Sequence, residues 1–231
     1  MDGDEHVRDW AALHLTAPPA GFVGGWLKGA AAVARPLARA GVSPNVVTVA
    51  ALVAAVVAVP LAAVDGWVGP AAACVAVTVS GLLDALDGAV AVQAGRTTRV
   101  GFLLDSALDR LADAAFPAAL AMAAGGGAAV TRLAVAATAA CWWIEYVRAR
   151  GSLAAGGAGT GAATKQLVTP GERPTRIILT AVGLGLPGLA TAALWGHVVI
   201  VGGSGLFLFG WTIRRLRALD AAGPPAPTAG S

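Results

Sequence analysis

Five aspartates fall at helical spacings, Asp84-x2-Asp87-Gly88 and then Gly101-x3-Asp105-x3-Asp109-x3-Asp113. They are more than a third of the 13 acidic residues in a chain of 231, and their flanks are apolar. Residues three and four apart share one helix face, with about 5–6 Å between neighbouring Cβ atoms. Asp84 and Asp87 thus form one acidic ledge, and Asp105, Asp109 and Asp113 a second. Like charges this close in a low dielectric do not all stay ionised unaided. A hard divalent cation held by oxygen ligands is the simplest remedy, with Mg2+ the default and Mn2+ the alternative. Gly88, Ala91 and Gly101 are small where a metal and a phosphate-bearing ligand need close backbone approach.

The elements that must position these residues are membrane helices. Charged residues make up 13% of the chain, about half of the roughly 25% in soluble domains, and the mean hydropathy is +0.72. A carboxylate within a membrane span is expensive and marks a site that uses its charge. Six apolar segments can be drawn, at about 44–64, 68–91, 100–123, 128–148, 175–195 and 197–213, each near the roughly 20 residues a span needs. Gly125-Gly126-Gly127 turns the third into the fourth, and a Gly-rich polar loop, 151–174, precedes the fifth. The expected fold is all-α and integral to the membrane. The expected domains are an N-terminal segment, 1–42, a six-helix domain, 43–217, and a disordered tail, 218–231. Residues 20–40 mix apolar and basic positions, which suits an amphipathic helix lying on the membrane surface.

Basic residues orient the spans by the positive-inside rule. Lys28, Arg35 and Arg39 precede the first, Arg96 and Arg99 join the second to the third, and Arg148, Arg150, Lys165, Arg173 and Arg176 lie between the fourth and fifth. Arg214, Arg215 and Arg217 follow the sixth. The alternate connections, near Asp65, Gly126 and Gly196, carry almost none; Arg132 stands against the pattern. Both termini and both aspartate ledges are thereby expected at the cytoplasmic face of the plasma membrane. The pI of about 9.4 is accounted for by this distribution, and no nucleic-acid partner is expected. Cys74 and Cys141 lie in apolar stretches without ligand spacing and read as small buried residues. His6, His14 and His197 show no nucleophile or ligand spacing.

The stretch 84–109 resembles the signature of the CDP-alcohol phosphatidyltransferases, Asp-x2-Asp-Gly-x2-Ala-Arg-x7-8-Gly-x3-Asp-x3-Asp. Seven of its eight fixed positions are present; Val92 stands where the pattern has arginine. The resemblance implies transfer of a phosphatidyl group from CDP-diacylglycerol, or a related CDP-alcohol, to an acceptor hydroxyl, with release of CMP. It implies that Asp84, Asp87, Asp105 and Asp109 are metal ligands and that Asp109 is also the general base. Asp113 lies outside the signature and reads as structural, paired with Arg110 three residues earlier. Pro44, Asn45 and Thr48 match the family's Pro-Asn/Asp-x2-Thr segment, and with Gly88, Thr98 and Gly101 they are the expected contacts to the CDP part of the donor. For Ser43-Pro44-Asn45 the competing reading is a capped helix N-terminus. Replacement of the signature arginine by Val92 bears on donor affinity or identity, and Arg96 and Arg99 in the same loop are candidate substitutes.

The segments Tyr146-Val-Arg148-Ala-Arg150, Glu172-Arg173-Pro174-Thr-Arg176 and Arg215-Leu216 resemble those of actinobacterial phosphatidylinositol-phosphate synthases. There, basic residues bind the acceptor's phosphate, which assigns Arg148, Arg173, Arg176 and Arg215 to that task; arginine forks suit a phosphate dianion. The competing reading of these arginines is the positive-inside rule alone. Glu145 stands where it can orient an arginine or accept from a polyol hydroxyl. The acceptor favoured is an alcohol phosphate, inositol phosphate first and glycerol phosphate next. Homodimerisation is implied by the resemblance alone. The remaining alternatives are a non-catalytic CDP-lipid binder, supported by Val92, and a cation transporter, which the one-sided clustering of the acids and the lack of an inverted repeat oppose.

Overall fold

A computed structural model describes residues 21–155 and 167–222, with side chains placed over 29–155 and 167–221. All regular structure among the described residues is helical. The acidic N-terminal residues, His6, His14, part of the 151–174 loop with Lys165, and 223–231 of the tail lie outside the described residues. In chain order the helices are α1 (Gly21–Arg39), α2 (Pro44–Ala62), α3 (Val68–Gln93), α4 (Arg99–Ala123), α5 (Ala128–Ala154), α6 (Arg173–Gly185), α7 (Ala190–Gly196) and α8 (Gly202–Ala222). A wide π turn, His197–Val201, joins α7 to α8 without a break.

Three helices among the described residues are long and apolar enough to cross a membrane: α2, α3 and the continuous rod Ala190–Ala221. The packing of α2 shows how such helices hold together. Its buried face is Val47, Thr48, Ala51, Ala55, Ala58 and Ala62, a stripe at helical spacing. Its bulky residues Val46, Val49, Val53, Val56 and Val57 are turned outward. With no water to escape from, association in a bilayer rests on close van der Waals packing, which small residues permit. The alanine stripe joins Ala73 and Val77 of α3 and Ala112, Phe116 and Ala119 of α4 in one core. α2 thereby packs along both α3 and α4, which approach one another only sparingly. The two aspartate helices are therefore not the closely packed neighbours that their short connection suggests. α2 holds them slightly apart, and the gap is where the acids converge.

Two boundaries differ from the sequence reading. α6 ends at Gly185, and the break before the last rod falls at Leu186-Pro187-Gly188-Leu189, not at Gly196. Pro187 disfavours helix at the residue before it, and Gly188 takes a positive φ of 81°. Gly196, by contrast, continues helical; glycine inside an apolar helix weakens it without ending it. The last helix also runs through Ala222, five residues into the segment assigned to the tail. His197, given no role from sequence, is fully buried. Its Nδ1 is 2.9 Å from the Ala193 carbonyl oxygen and its Nε2 is 3.4 Å from Thr180 Oγ1, which ties α6 to the rod.

α1 is helical over Gly21–Arg39 and lies against α3, with Ala34 packed on Ala89 and Val90. The short connection from α3 to α4 begins with a glycine-ended helix terminus. Gly95 (φ 61°) donates from its N–H to the Val92 carbonyl at 3.2 Å, and Arg96 donates to the Ala91 carbonyl at 2.9 Å, the paired bonds of a Schellman motif. This turn reverses the chain and sends α4 back beside α2.

Candidate active site

The acidic site is built by three helix ends. Asp84 and Asp87 come from the last turns of α3, Asp105 and Asp109 from the first turns of α4, and the N-terminus of α2 lies between. One carboxylate oxygen from each of Asp84, Asp105 and Asp109 lies within 4.8 Å of the others. Asp87, one turn beyond Asp84, is 7% exposed, and its Oδ2 is buried with no hydrogen-bond partner among the described residues. Three converging hard oxygen donors, with the unpartnered oxygen of Asp87 on the next turn, fit Mg2+ or Mn2+. The donor chemistry offers no thiolate or imidazole to select a softer ion.

The residues expected at the CDP group gather at the edge of this cluster. Pro44 occupies the first turn of α2, the position where its missing N–H matters least, and Ser43 precedes it in extended conformation without a side-chain cap. Capping by Ser43 is thus not what holds this terminus. Thr98 does cap: its Oγ1 accepts from the Gly101 N–H at 2.9 Å. A Cβ placed on Gly101 would stand 3.1 Å from Thr98 Oγ1 and 3.3 Å from Asn45 Oδ1. Asn45, Thr98 and Gly101 are therefore brought together across two helix starts. Thr48 is buried beside them, its hydroxyl donating to the Pro44 carbonyl at 3.1 Å. Gly88 faces open space, where a Cβ would meet nothing within 4 Å. Val92 is half-buried in the last turn of α3, and Arg96 and Arg99 are exposed beyond it.

The four arginines assigned to the acceptor are not equivalent. Arg176 is fully buried. Its Nη1 donates to Asp113 at 2.6 Å, its Nη2 pairs with Glu145, and its Nε donates to the Gly171 carbonyl at 3.1 Å. This arginine ties α6 to α4 and α5, and it corrects the expectation that Arg176 stands open to a phosphate. Arg110 completes the network, 3.2 Å from Asp113 and 3.7 Å from Glu145, so the expected Arg110–Asp113 pair is present. Arg148 donates to Glu172 at 2.5 Å, and Glu172 also accepts from the Thr169 N–H and hydroxyl, each at 3.0 Å. Arg173 reaches the acidic cluster itself, with Nη2 at 3.1 Å from Asp84 and Nη1 against Asp109. Arg215 is exposed and makes no ion pair among the described residues.

Sequence reasoning placed Glu145 to orient an arginine without naming Arg176 or Arg110 as the partner, and it did not foresee that Glu172 anchors Arg148 or that Arg173 bridges two of the aspartates. Only the Arg110–Asp113 pair had a local signal. Arg176 and Asp113 are 63 positions apart, Arg176 and Glu145 31, and no periodicity joins them.

Residues 41–211 match the family model for CDP-alcohol phosphatidyltransferase. The chain is 34% identical over 185 residues to the phosphatidylinositol phosphate synthase of Cutibacterium acnes, which covers 78% of this chain and 84% of that one. It is also similar in fold to Mycobacterium tuberculosis phosphatidylinositol phosphate synthase solved with CDP-DAG bound, at TM-score 0.59 and 24% identity over 87% of this chain and 98% of that one. The same mycobacterial protein solved with manganese and citrate superposes at TM-score 0.59 and 23% identity, over 87% of this chain and 93% of that one. With three of the four signature aspartates gathered in one cluster and the family model spanning α2 to α8, the chain belongs to the CDP-alcohol phosphatidyltransferase family and is a transferase of that class.

Proposed function

We propose that this protein transfers the phosphatidyl group of CDP-diacylglycerol to the hydroxyl of inositol phosphate at the cytoplasmic face of the plasma membrane, releasing CMP. The observation that carries the reading is the convergence of Asp84, Asp105 and Asp109 oxygens within 4.8 Å beside the arginine-rich start of α6. The name of the Cutibacterium acnes relative supports the acceptor, and the CDP-DAG and manganese complexes of the mycobacterial neighbour support the donor and the metal.

Asp84, Asp87, Asp105 and Asp109 would hold Mg2+ or Mn2+, which supplies neutralisation of pyrophosphate charge and polarisation of the phosphorus. Pro44, Asn45, Thr48, Gly88, Thr98 and Gly101 border the CDP part of the donor, where the glycines leave room for its backbone-close approach. Asp109 takes the proton of the acceptor hydroxyl as its oxygen bonds to the phosphatidyl phosphorus. The bond from that phosphorus to the bridging oxygen breaks, and CMP leaves with the electron pair. Arg173, with Arg148 and Arg215, receives the acceptor's phosphate. Arg176 acts through the others, as the buried tie that sets α6 against α4 and α5.

The reading includes six membrane crossings with both termini cytoplasmic. The connections 63–67, 124–127 and 186–189 contain no lysine or arginine, as the positive-inside rule asks, and Arg132, in the second turn of α5, remains the exception. α4, α5 and α6 then cross as a group, with Asp109, Arg110, Asp113, Glu145, Arg173 and Arg176 turned to the network and the acidic cluster. α1 lies at the cytoplasmic surface, and the functional unit is a homodimer, on the family resemblance.

The test follows CMP release from CDP-diacylglycerol by the purified protein with Mg2+, offering inositol phosphate, glycerol phosphate, inositol and serine separately. Release with inositol phosphate, abolished by Asp109→Asn and by EDTA, is the expected result. Release with glycerol phosphate alone replaces the acceptor, and no release with any acceptor removes the reading.

A further inference from the structure

Arg173 is misplaced for a residue whose only task is to hold an acceptor's phosphate. One guanidinium spans two of the three converging carboxylates, Asp84 at 3.1 Å and Asp109 in direct contact. The pairing is nonetheless incomplete: Nε and Nη1 are buried without an aligned hydrogen bond among the described residues. Four carboxylates stand here against Arg173 and the more distant Arg110, whose Nη2 is 3.9 Å from Asp109, and Asp87 keeps an oxygen without a hydrogen-bond partner among the described residues. A guanidinium approaches carboxylate oxygens at about 2.7–2.9 Å, whereas Mg2+ needs them at about 2.0–2.1 Å in octahedral array. Both cations draw on the carboxylates of Asp84 and Asp109, and each weakens the other's hold on that charge.

The backbone beneath Arg173 is held independently of that pairing. Glu172, its neighbour, is fixed by Arg148 and Thr169. Pro174 follows in the first turn of α6, and Arg176 locks the next turn to Asp113, Glu145 and Gly171. Release of the guanidinium thus requires a rotamer change in one side chain and no movement of α6.

We propose that Arg173 is an exchangeable counter-ion of the aspartate cluster. In the metal-free protein it holds Asp84 and Asp109; a divalent cation displaces it, and the freed guanidinium turns to the anionic group of the acceptor. This rests on the metal and acceptor reading given above. Its consequence is positive coupling: metal binding raises the affinity for the acceptor's phosphate, and reciprocally.

The test titrates Mn2+ into the purified full chain and into Arg173→Gln and Arg173→Lys, with no donor present, by calorimetry and electron-spin resonance. Arg173→Gln is expected to bind Mn2+ about tenfold more tightly, a factor worth about 1.4 kcal/mol, because no ion pair has to break first. Arg173→Lys, which keeps the charge and loses the fork, falls between, and it carries the comparison if Arg173→Gln does not fold. Inositol phosphate binding strengthens with Mn2+ in the parent and not in Arg173→Gln. Mn2+ binding that is equal or weaker in both variants overturns the exchange and leaves the metal reading standing. Mn2+ binding undiminished in Asp105→Asn and Asp109→Asn overturns both.

Discussion

Asp109 and Asp113 sit one turn apart on α4 and look alike in sequence, yet their surroundings assign them different work. Asp113 is fully buried between Arg176 and Arg110, whereas Asp109 is 18% exposed at the side chain and lies among other carboxylates. Removing one partner of a buried ion pair leaves an uncompensated charge and costs about 3–5 kcal/mol. Asp113→Asn should therefore lower unfolding stability in detergent by that amount. Asp109→Asn should abolish CMP release with a much smaller loss, since it also relieves like-charge crowding. Val92 supplies a second comparison. A charge-assisted hydrogen bond contributes about 1.5–3 kcal/mol, so Val92→Arg, restoring the signature arginine, should lower KM for CDP-diacylglycerol about tenfold. Such a contact adds binding shared by ground and transition states, which leaves kcat little changed. A KM that stays constant would mean that Arg96 or Arg99 already serves the phosphates.

The elements succeed or fail by how closely they can approach. Gly171, just before α6, lies against the rod; a Cβ there would stand 2.8 Å from Ser204 Cβ and 3.0 Å from Val201 Cα. Overpacking of this kind costs about 1–3 kcal/mol. Because Gly171 also accepts from Arg176 Nε, Gly171→Ala should shift the start of α6 and with it Arg173. Thermal unfolding would then fall and kcat with it, while Mn2+ titration shows the aspartate cluster still binding. The helices themselves were legible in sequence because apolar length and glycine turns are local properties: α2 to α5 begin within a residue or so of where hydropathy puts them. The break at Pro187-Gly188 was missed because apolar residues run through it; the backbone restrictions of a Pro-Gly pair outweighed hydropathy there. The aspartate cluster was legible from spacing within two helices and their short connection. The arginine network was not, since it joins α4, α5 and α6 through pairs that only the folded chain brings together.

For the whole molecule the open question is how the bundle sits in its membrane, and the distribution of charge makes a sharp prediction. Every turn on one side, 63–67, 124–127 and 186–189, lacks lysine and arginine. The opposite side carries the exposed Arg96, Arg99, Arg214, Arg215 and Arg217, together with the acidic cluster. Orientation follows the basic residues near span ends, so the prediction is that the charged side faces the cytoplasm, where a water-soluble acceptor and CMP would exchange freely. In a background with Cys74 and Cys141 replaced by alanine, single cysteines are informative at exposed positions. Asp65→Cys and Leu189→Cys should react with a membrane-impermeant maleimide in intact cells. Thr97→Cys and Arg217→Cys should react only after the membrane is opened. Leu189 is the decisive site, because it separates a last crossing that starts at Ala190 from one that starts near His197. Labelling at Asp65 without labelling at Leu189 would leave the 186–189 turn buried and α6 short of the outer face. At 13 residues and about 1.5 Å per residue, α6 spans only about two thirds of a hydrocarbon core roughly 30 Å thick. A labelled Leu189 would then require the membrane to thin around α6 or α6 to reach the surface within a recess of the bundle, and the reactivity of cysteines placed at Val182 and Leu186 would tell these apart.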